Sequence, residues 1–256
     1  MALSFSALKT FLNEKAVQYN TPTFIESDPI QIPKRFSKKE DVEIAGFFAA
    51  TIAWGNRASI IKSANRIMNL MDDAPYDFVL NATTKDWEGV TPFAHRTFNT
   101  IDLQFFMRAL QHIYLKHGGL HTLLSPTSKE THMDQAICRL RQVFFSIEHP
   151  QRTTNHLANP AKGSAAKRIH MFLRWMVRQD KNGVDFGIWD DISPSLLSCP
   201  LDVHSGNVAR KLGLLSRKQN DQKALRELDN SLRSLDPKDP VKYDFALFGL
   251  GVFEKF

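Results

Sequence analysis

Cysteine is scarce in this chain, with Cys138 and Cys199 the only two among 256 residues. A disulfide framework is therefore not expected, and a reducing, cytoplasmic setting fits. The same count excludes an all-cysteine zinc site or a four-cysteine iron–sulfur cluster built from one copy. Long apolar runs are missing as well. None approaches the ~18 residues of a membrane span, and the opening Met1-Ala-Leu-Ser-Phe-Ser-Ala-Leu8 lacks a basic region ahead of an apolar one, so it does not read as a signal peptide. There is no phosphate-binding Walker loop, no dinucleotide fingerprint and no serine-hydrolase elbow. His112, His117, His121 and His132 have no Cys or carboxylate to complete a metal set, and Gly118-Gly119 breaks the helix that would align His117 with His121. No metal and no cofactor is expected. Convincing strands, hairpin turns and internal repeats are also wanting.

What the chain does have is apolar content and positive charge. With 43% hydrophobic and 23% charged residues it reads as a soluble globular protein, long enough for one large domain or two closely packed lobes. Lys and Arg number 33 against 27 Asp and Glu, giving a net charge of +6, which suits a polyanionic partner. Helical periodicity dominates. The spacing predicts helices over 6–19, 42–53, 58–71, 77–82, 100–116, 133–145, 164–178, 203–212, 222–235 and 241–249. Ser37 with Glu40 reads as a capping box for the second of these. Trp54-Gly-Asn-Arg57 interrupts two helices, and 183–200 reads as a loop holding Trp189 and Pro194. The fold class expected is all-α.

The segment from Pro160 to Trp175 carries the chemistry. A Pro/Gly turn feeds a helix whose first N–H groups, with the positive end of the helix dipole, favour a phosphate. Lys162, Lys167 and Arg168 add charge there. Downstream, Pro200-Leu-Asp202-Val-His204 opens another helix, with Asp202 at its mouth, where a carboxylate also makes an N-cap. A lysine inside one helix and an acid at the start of the next would, if they converge, make a nucleophile beside an electrostatic partner.

These residues resemble the helix-hairpin-helix DNA glycosylases. That family carries glycines four and two residues before a catalytic lysine, followed by Pro-apolar-Asp-x-His/Arg. Gly163 and Lys167 match, Ala165 stands where the second glycine is usual, and the aspartate segment is similar to the Pro-Val-Asp-Val-His of 8-oxoguanine glycosylases. The interval of 35 residues from Lys167 to Asp202 is nearer the archaeal 8-oxoguanine branch. Met171-Phe-Leu-Arg-Trp-Met176, 206–213 and 239–249 further resemble an uncharacterised bacterial family distantly related to these enzymes.

The resemblance implies a two-lobed fold over 1–256, with hairpin and catalytic segment at about 150–213. Double-stranded DNA bearing a flipped, damaged base would be the partner and lie across a groove between the lobes. The protein is expected to act as a monomer. Lys167 and Asp202 would be catalytic, Arg168 and Arg174 lowering the lysine pKa by their charge. Lys162, Gly163, Ala165, Arg168 and His204 would hold the DNA backbone. Trp54 and Asn56 would fill the gap left by the flipped base, with Arg57 on the backbone. Met171, Trp175, Phe245 and Phe248 would line the base pocket. The activity implied is that of a glycosylase with associated lyase chemistry on an oxidised purine. The alternative is a DNA-binding protein that kept the hairpin and lost the chemistry.

Overall fold

The computed structural model describes residues 4–90 and 92–256, so the first three residues of the N-terminal stretch lie outside it. The helices are α1 (Phe5–Tyr19), α2 (Pro22–Glu26), α3 (Lys39–Thr51), α4 (Arg57–Leu70), α5 (Pro75–Asn81), α6 (Thr84–Glu88), α7 (Thr100–Lys116), α8 (Gly119–Leu124), α9 (Asp134–Phe144), α10 (Lys167–Val177), α11 (Val203–Lys211), α12 (Gln222–Leu235) and α13 (Tyr243–Val252). The predominantly helical character read from the periodicity holds. The departure is a two-residue antiparallel pair, β1 (Ala94–His95) with β2 (Phe98–Asn99), joined by Arg96 in the left-handed region at φ +54°. Two paired residues are too few to leave an alternating pattern.

Local chemistry explains most boundaries. Asn99 caps α7 through Oδ1, which accepts from Ile101 N at 3.1 Å, while Asp102 returns a bond to Asn99 N at 3.0 Å. Gly118, at φ +74°, ends the following turn. The expected Ser37 cap does not form. α3 starts after Lys38 with no side-chain cap, its first-turn acids Glu40 and Asp41 complementing the helix dipole instead. α10 begins three residues later than predicted because Ser164 bridges to Asp221 and Ala166 adopts φ +46°. A 3₁₀ turn at Pro240–Lys242 likewise delays α13.

The chain divides into two compact units. One comprises residues 1–24, 128–134 and 159–256 and contains α1 and α10 to α13; the other comprises 25–127 and 135–158. In the first, α13 is flanked by α1 and α11 around a core that includes Leu12, Val208, Leu228, Leu247 and Leu250. Gly249 permits the α1 approach, since a Cβ there would sit 2.1 Å from the Tyr19 ring. The second unit is built on aromatic rings. Phe106 meets Phe144 edge-on at 4.7 Å, and Phe47, Phe98 and Phe105 close around them, all without exposed surface. Such rings bury large apolar areas and gain from edge-to-face geometry.

Candidate active site

The turn before α10 is held by its own backbone. Gly163 stands at φ +83°, a conformation that glycine takes without steric cost, and its carbonyl accepts from Gln222 N at 3.0 Å. Ala165 replaces the glycine usual in the resembling family, yet it has no left-handed φ. That strain falls one residue on, at Ala166, and a left-handed alanine is an uncommon choice. The substitution at 165 therefore asks nothing unusual of the backbone. Ala166 offers no side-chain cap to α10, so the first N–H groups of that helix receive none from it.

Lys167 opens α10, and its Nζ lies 3.3 Å from Asp202 Oδ2. The two oxygens of Asp202 divide their work. Oδ1 accepts from Ser205 N at 2.8 Å and from Ser205 Oγ at 3.1 Å, which caps α11, while Oδ2 faces the amine. Burial raises the Asp202 carboxyl, but the Lys167 charge and the Ser205 hydrogen bonds outweigh it and hold the group below its usual range. Asn220 fixes the backbone by donating to the Asp202 carbonyl at 2.8 Å, and Arg210 in turn donates to Asn220 Oδ1 at 2.6 Å. The pair is not sealed, for a third of the Lys167 side chain is exposed.

Deeper along α10 the charges are fully enclosed. Arg174 Nε donates to Asp185 Oδ1 at 3.2 Å, and its Nη1 is hydrogen-bonded to Asp244 Oδ2. Its guanidinium carbon stands 4.4 Å from the Phe245 ring centroid. The sequence suggested Arg174 as a free positive charge for tuning Lys167; two carboxylates instead meet its charge. Burial pushes Asp244 above the ordinary carboxylate range against the pull of Arg174. Cys199 links this cluster to the aspartate segment, its N–H donating to Asp229 Oδ1 at 3.1 Å and its thiol to Asp244 Oδ1 at 3.6 Å. Asp185, Asp229 and Asp244 were not legible as members of this network, because nothing in a sequence marks an acid as buried.

The other expected residues fall into distinct settings. Lys162, Gly163 and His204 are exposed, Arg168 is half-buried, and Ala165 is buried. Burial lowers the Arg168 guanidinium to about 10, leaving it charged at neutral pH. Trp175 and Phe245 lie entirely inside, while Met171 and Phe248 keep partial exposure. Phe24 meets both Phe245 and Phe248 edge-on, at 5.3 and 6.0 Å. In the other unit, Asn56 caps α4 by accepting from Ser59 N at 3.2 Å. Arg57 turns toward Ser27 and Asp28, at 3.4 and 4.0 Å. Trp54 stacks on His156 with centroids 6.0 Å apart and meets His95 edge-on at 5.3 Å.

Among the described residues no group of three or more His, Cys, Asp or Glu could hold a metal ion, and no helix is long and apolar enough to cross a membrane. No curated protein and no solved structure matches the chain. Residues 28–253 match the family model of DUF2400, described as a protein of unknown function. The match spans most of the sequence, and the chain belongs to the DUF2400 family.

Proposed function

We propose that the chain is a DNA glycosylase with associated lyase activity, of the helix-hairpin-helix type, acting on an oxidised purine such as 8-oxoguanine in double-stranded DNA. The observation that carries this reading is the 3.3 Å approach of the Lys167 amine to Asp202 Oδ2, with Oδ1 already committed to the cap. A helix cap needs only one carboxylate oxygen. The second is left for proton traffic with the lysine.

The chemistry follows from that division. The target nucleotide is first flipped out of the stack, because its glycosidic bond is unreachable inside a duplex. Asp202 takes a proton from Lys167 across the short gap. The freed amine attacks C1′, the bond from C1′ to the base breaks, and its electron pair leaves on the base, which takes up a proton. The sugar ring then opens, its oxygen gaining a proton, and C1′ becomes a Schiff base with Nζ. A proton is then lost from C2′, the C2′=C3′ bond forms, and this β-elimination expels the 3′ phosphate and cuts the strand. As the base departs, Asp202 passes it the proton taken from Lys167 and, ionised again, stabilises the positive charge developing at C1′. Support for DNA as partner comes from the exposed turn at Lys162 and Gly163 and the start of α10 without a side-chain cap, an arrangement suited to phosphate.

Strand cleavage of a duplex carrying 8-oxoguanine tests this. Lys167→Gln and Asp202→Asn are each expected to cut roughly a hundredfold slower or worse than wild type, with thermal melting nearly unchanged. Undiminished cleavage by Lys167→Gln would overturn the lysine's role. Tight duplex binding with no cleavage of any lesion would favour the non-catalytic DNA-binding alternative.

A further inference from the structure

A cleft in the aromatic unit, apart from Lys167, has the composition of an anion site. Its volume is about 410 Å³, within the ~300–1,000 Å³ range of small-ligand sites. One wall is α4, where Ser59, Lys62, Ser63 and Arg66 recur at helical spacing on one face. The other is the β1–β2 turn with Arg96, and Trp54 adds an aromatic surface. Three cations line this space, and no carboxylate does. Among the described residues none of the three makes an ion pair with an acid. Like charges gathered this way repel one another unless an anion joins them.

The cleft is also braced. Gly55, at φ +105°, makes room for Arg96, since a Cβ at Gly55 would lie 2.9 Å from Arg96 Nη1. Arg66 donates to the Pro92 carbonyl and stands 5.7 Å from the Phe93 ring centroid. His95 ties the walls together, with Nδ1 3.0 Å from Ser63 Oγ and Nε2 3.3 Å from the Trp54 carbonyl. Arg66, Arg96 and the indole are thus set in place before any ligand arrives, which lowers the ordering cost of binding.

We propose that this cleft binds an unpaired stretch of DNA, its phosphodiesters on Lys62, Arg66 and Arg96 and a base against Trp54. Lys62 and Arg66 are one turn apart, about 6 Å along α4, so they can follow successive charges of one strand rather than enclose a single compact anion. Base stacking on an aromatic is tolerant of sequence because every base has a π-face. The inference uses no property of Lys167 and goes beyond the glycosylase reading.

The test is fluorescence anisotropy of the full chain with a labelled oligothymidylate of about 12 nucleotides, a length typical of single-strand sites. The double variant Lys62→Gln/Arg96→Gln alters exposed side chains, and a thermal melt checks that it folds as wild type does. The variant is expected to bind about 10- to 30-fold more weakly near 0.1 M salt and to lose about 1.4 from the slope of log affinity against log salt. Trp54→Ala is expected to weaken binding while leaving that slope intact. Unchanged affinity and slope in the double variant would overturn the proposal. So would displacement by inorganic phosphate as effective, per phosphate, as by unlabelled oligonucleotide, which would assign the cleft to a free phosphate compound. Equal displacement by polyglutamate would also overturn it, in favour of an acidic protein. Cleavage of lesion duplex is scored separately, so this proposal and the glycosylase reading can fail independently.

Discussion

Lys167 and Arg174 stand two turns apart on α10, and both face carboxylates, but in opposite surroundings. The Lys167–Asp202 pair is partly open, and its members keep 33% and 16% of their side-chain surface; Arg174 and Asp244 keep 4% and 7%. An exposed ion pair typically contributes ~0–1 kcal/mol to stability. Removing one partner of a buried pair costs ~3–5 kcal/mol because a charge is stranded away from water. The difference separates two jobs on one helix. The inner cluster fixes α10, the 183–200 segment and α13 against one another. The outer pair adds little to that framework and leaves its amine and carboxylate partly open to solvent.

The largest effect is expected at Arg174. Arg174→Ala is expected to lower the unfolding free energy by ~3–5 kcal/mol, read from urea denaturation. A loss below ~1 kcal/mol would erase the distinction between the two ends. Asp202→Asn sharpens it from the other side. Asparagine caps a helix as well as aspartate does, so stability should change by less than ~1 kcal/mol, whereas Asp202→Ala should cost ~0.5–2 kcal/mol through the lost cap.

His170, one turn beyond Lys167, is fully buried, with Nε2 3.8 Å from Asp134 Oδ1. Burial drives its pKa from 6.5 down to about 4, with Asp134 pulling upward and Arg226 and Arg233 adding to the fall. The folded state therefore binds fewer protons than the unfolded chain between pH 4 and 6.5. The stability this group contributes is complete above 6.5 and is lost as pH falls toward 4. His170→Gln should flatten the stability–pH curve in that window by up to about 1.4 kcal/mol per pH unit. An unchanged slope would mean that the imidazole is not held neutral. The smallest effects belong to the hairpin turn. Ala166→Gly should stabilise by up to about 1 kcal/mol, the relief of φ +46° being partly offset by the chain entropy of glycine, and Ala165→Gly should destabilise slightly, because that residue has no left-handed φ to relieve.

The sequence made some of this legible and hid the rest for physical reasons. α7 and α12 were readable to the residue because their apolar faces are long and their caps local: Asn99 for α7, and Asp221, which accepts from Ala224 N, for α12. α2, α6 and α8, at five or six residues, are shorter than two helical turns and left no periodicity to find. Lys167 and Asp202 could be paired because each belongs to a motif with fixed spacing. Asp244 and Asp185 could not, since they meet Arg174 from distant segments and their roles depend on burial. The cationic cleft also escaped notice: the helical spacing of Lys62 and Arg66 was there, but the β-turn that brings Arg96 opposite them was not foreseen.

The proposed chemistry requires a covalent bond between Lys167 and a deoxyribose. Incubating the protein with 8-oxoguanine duplex and sodium borohydride, then mapping the cross-linked peptide by mass spectrometry, addresses this directly. The result predicted is a reduced sugar adduct on Lys167, absent from Lys167→Gln. Adduct on another lysine, or equal trapping by the Lys167→Gln protein, would contradict it.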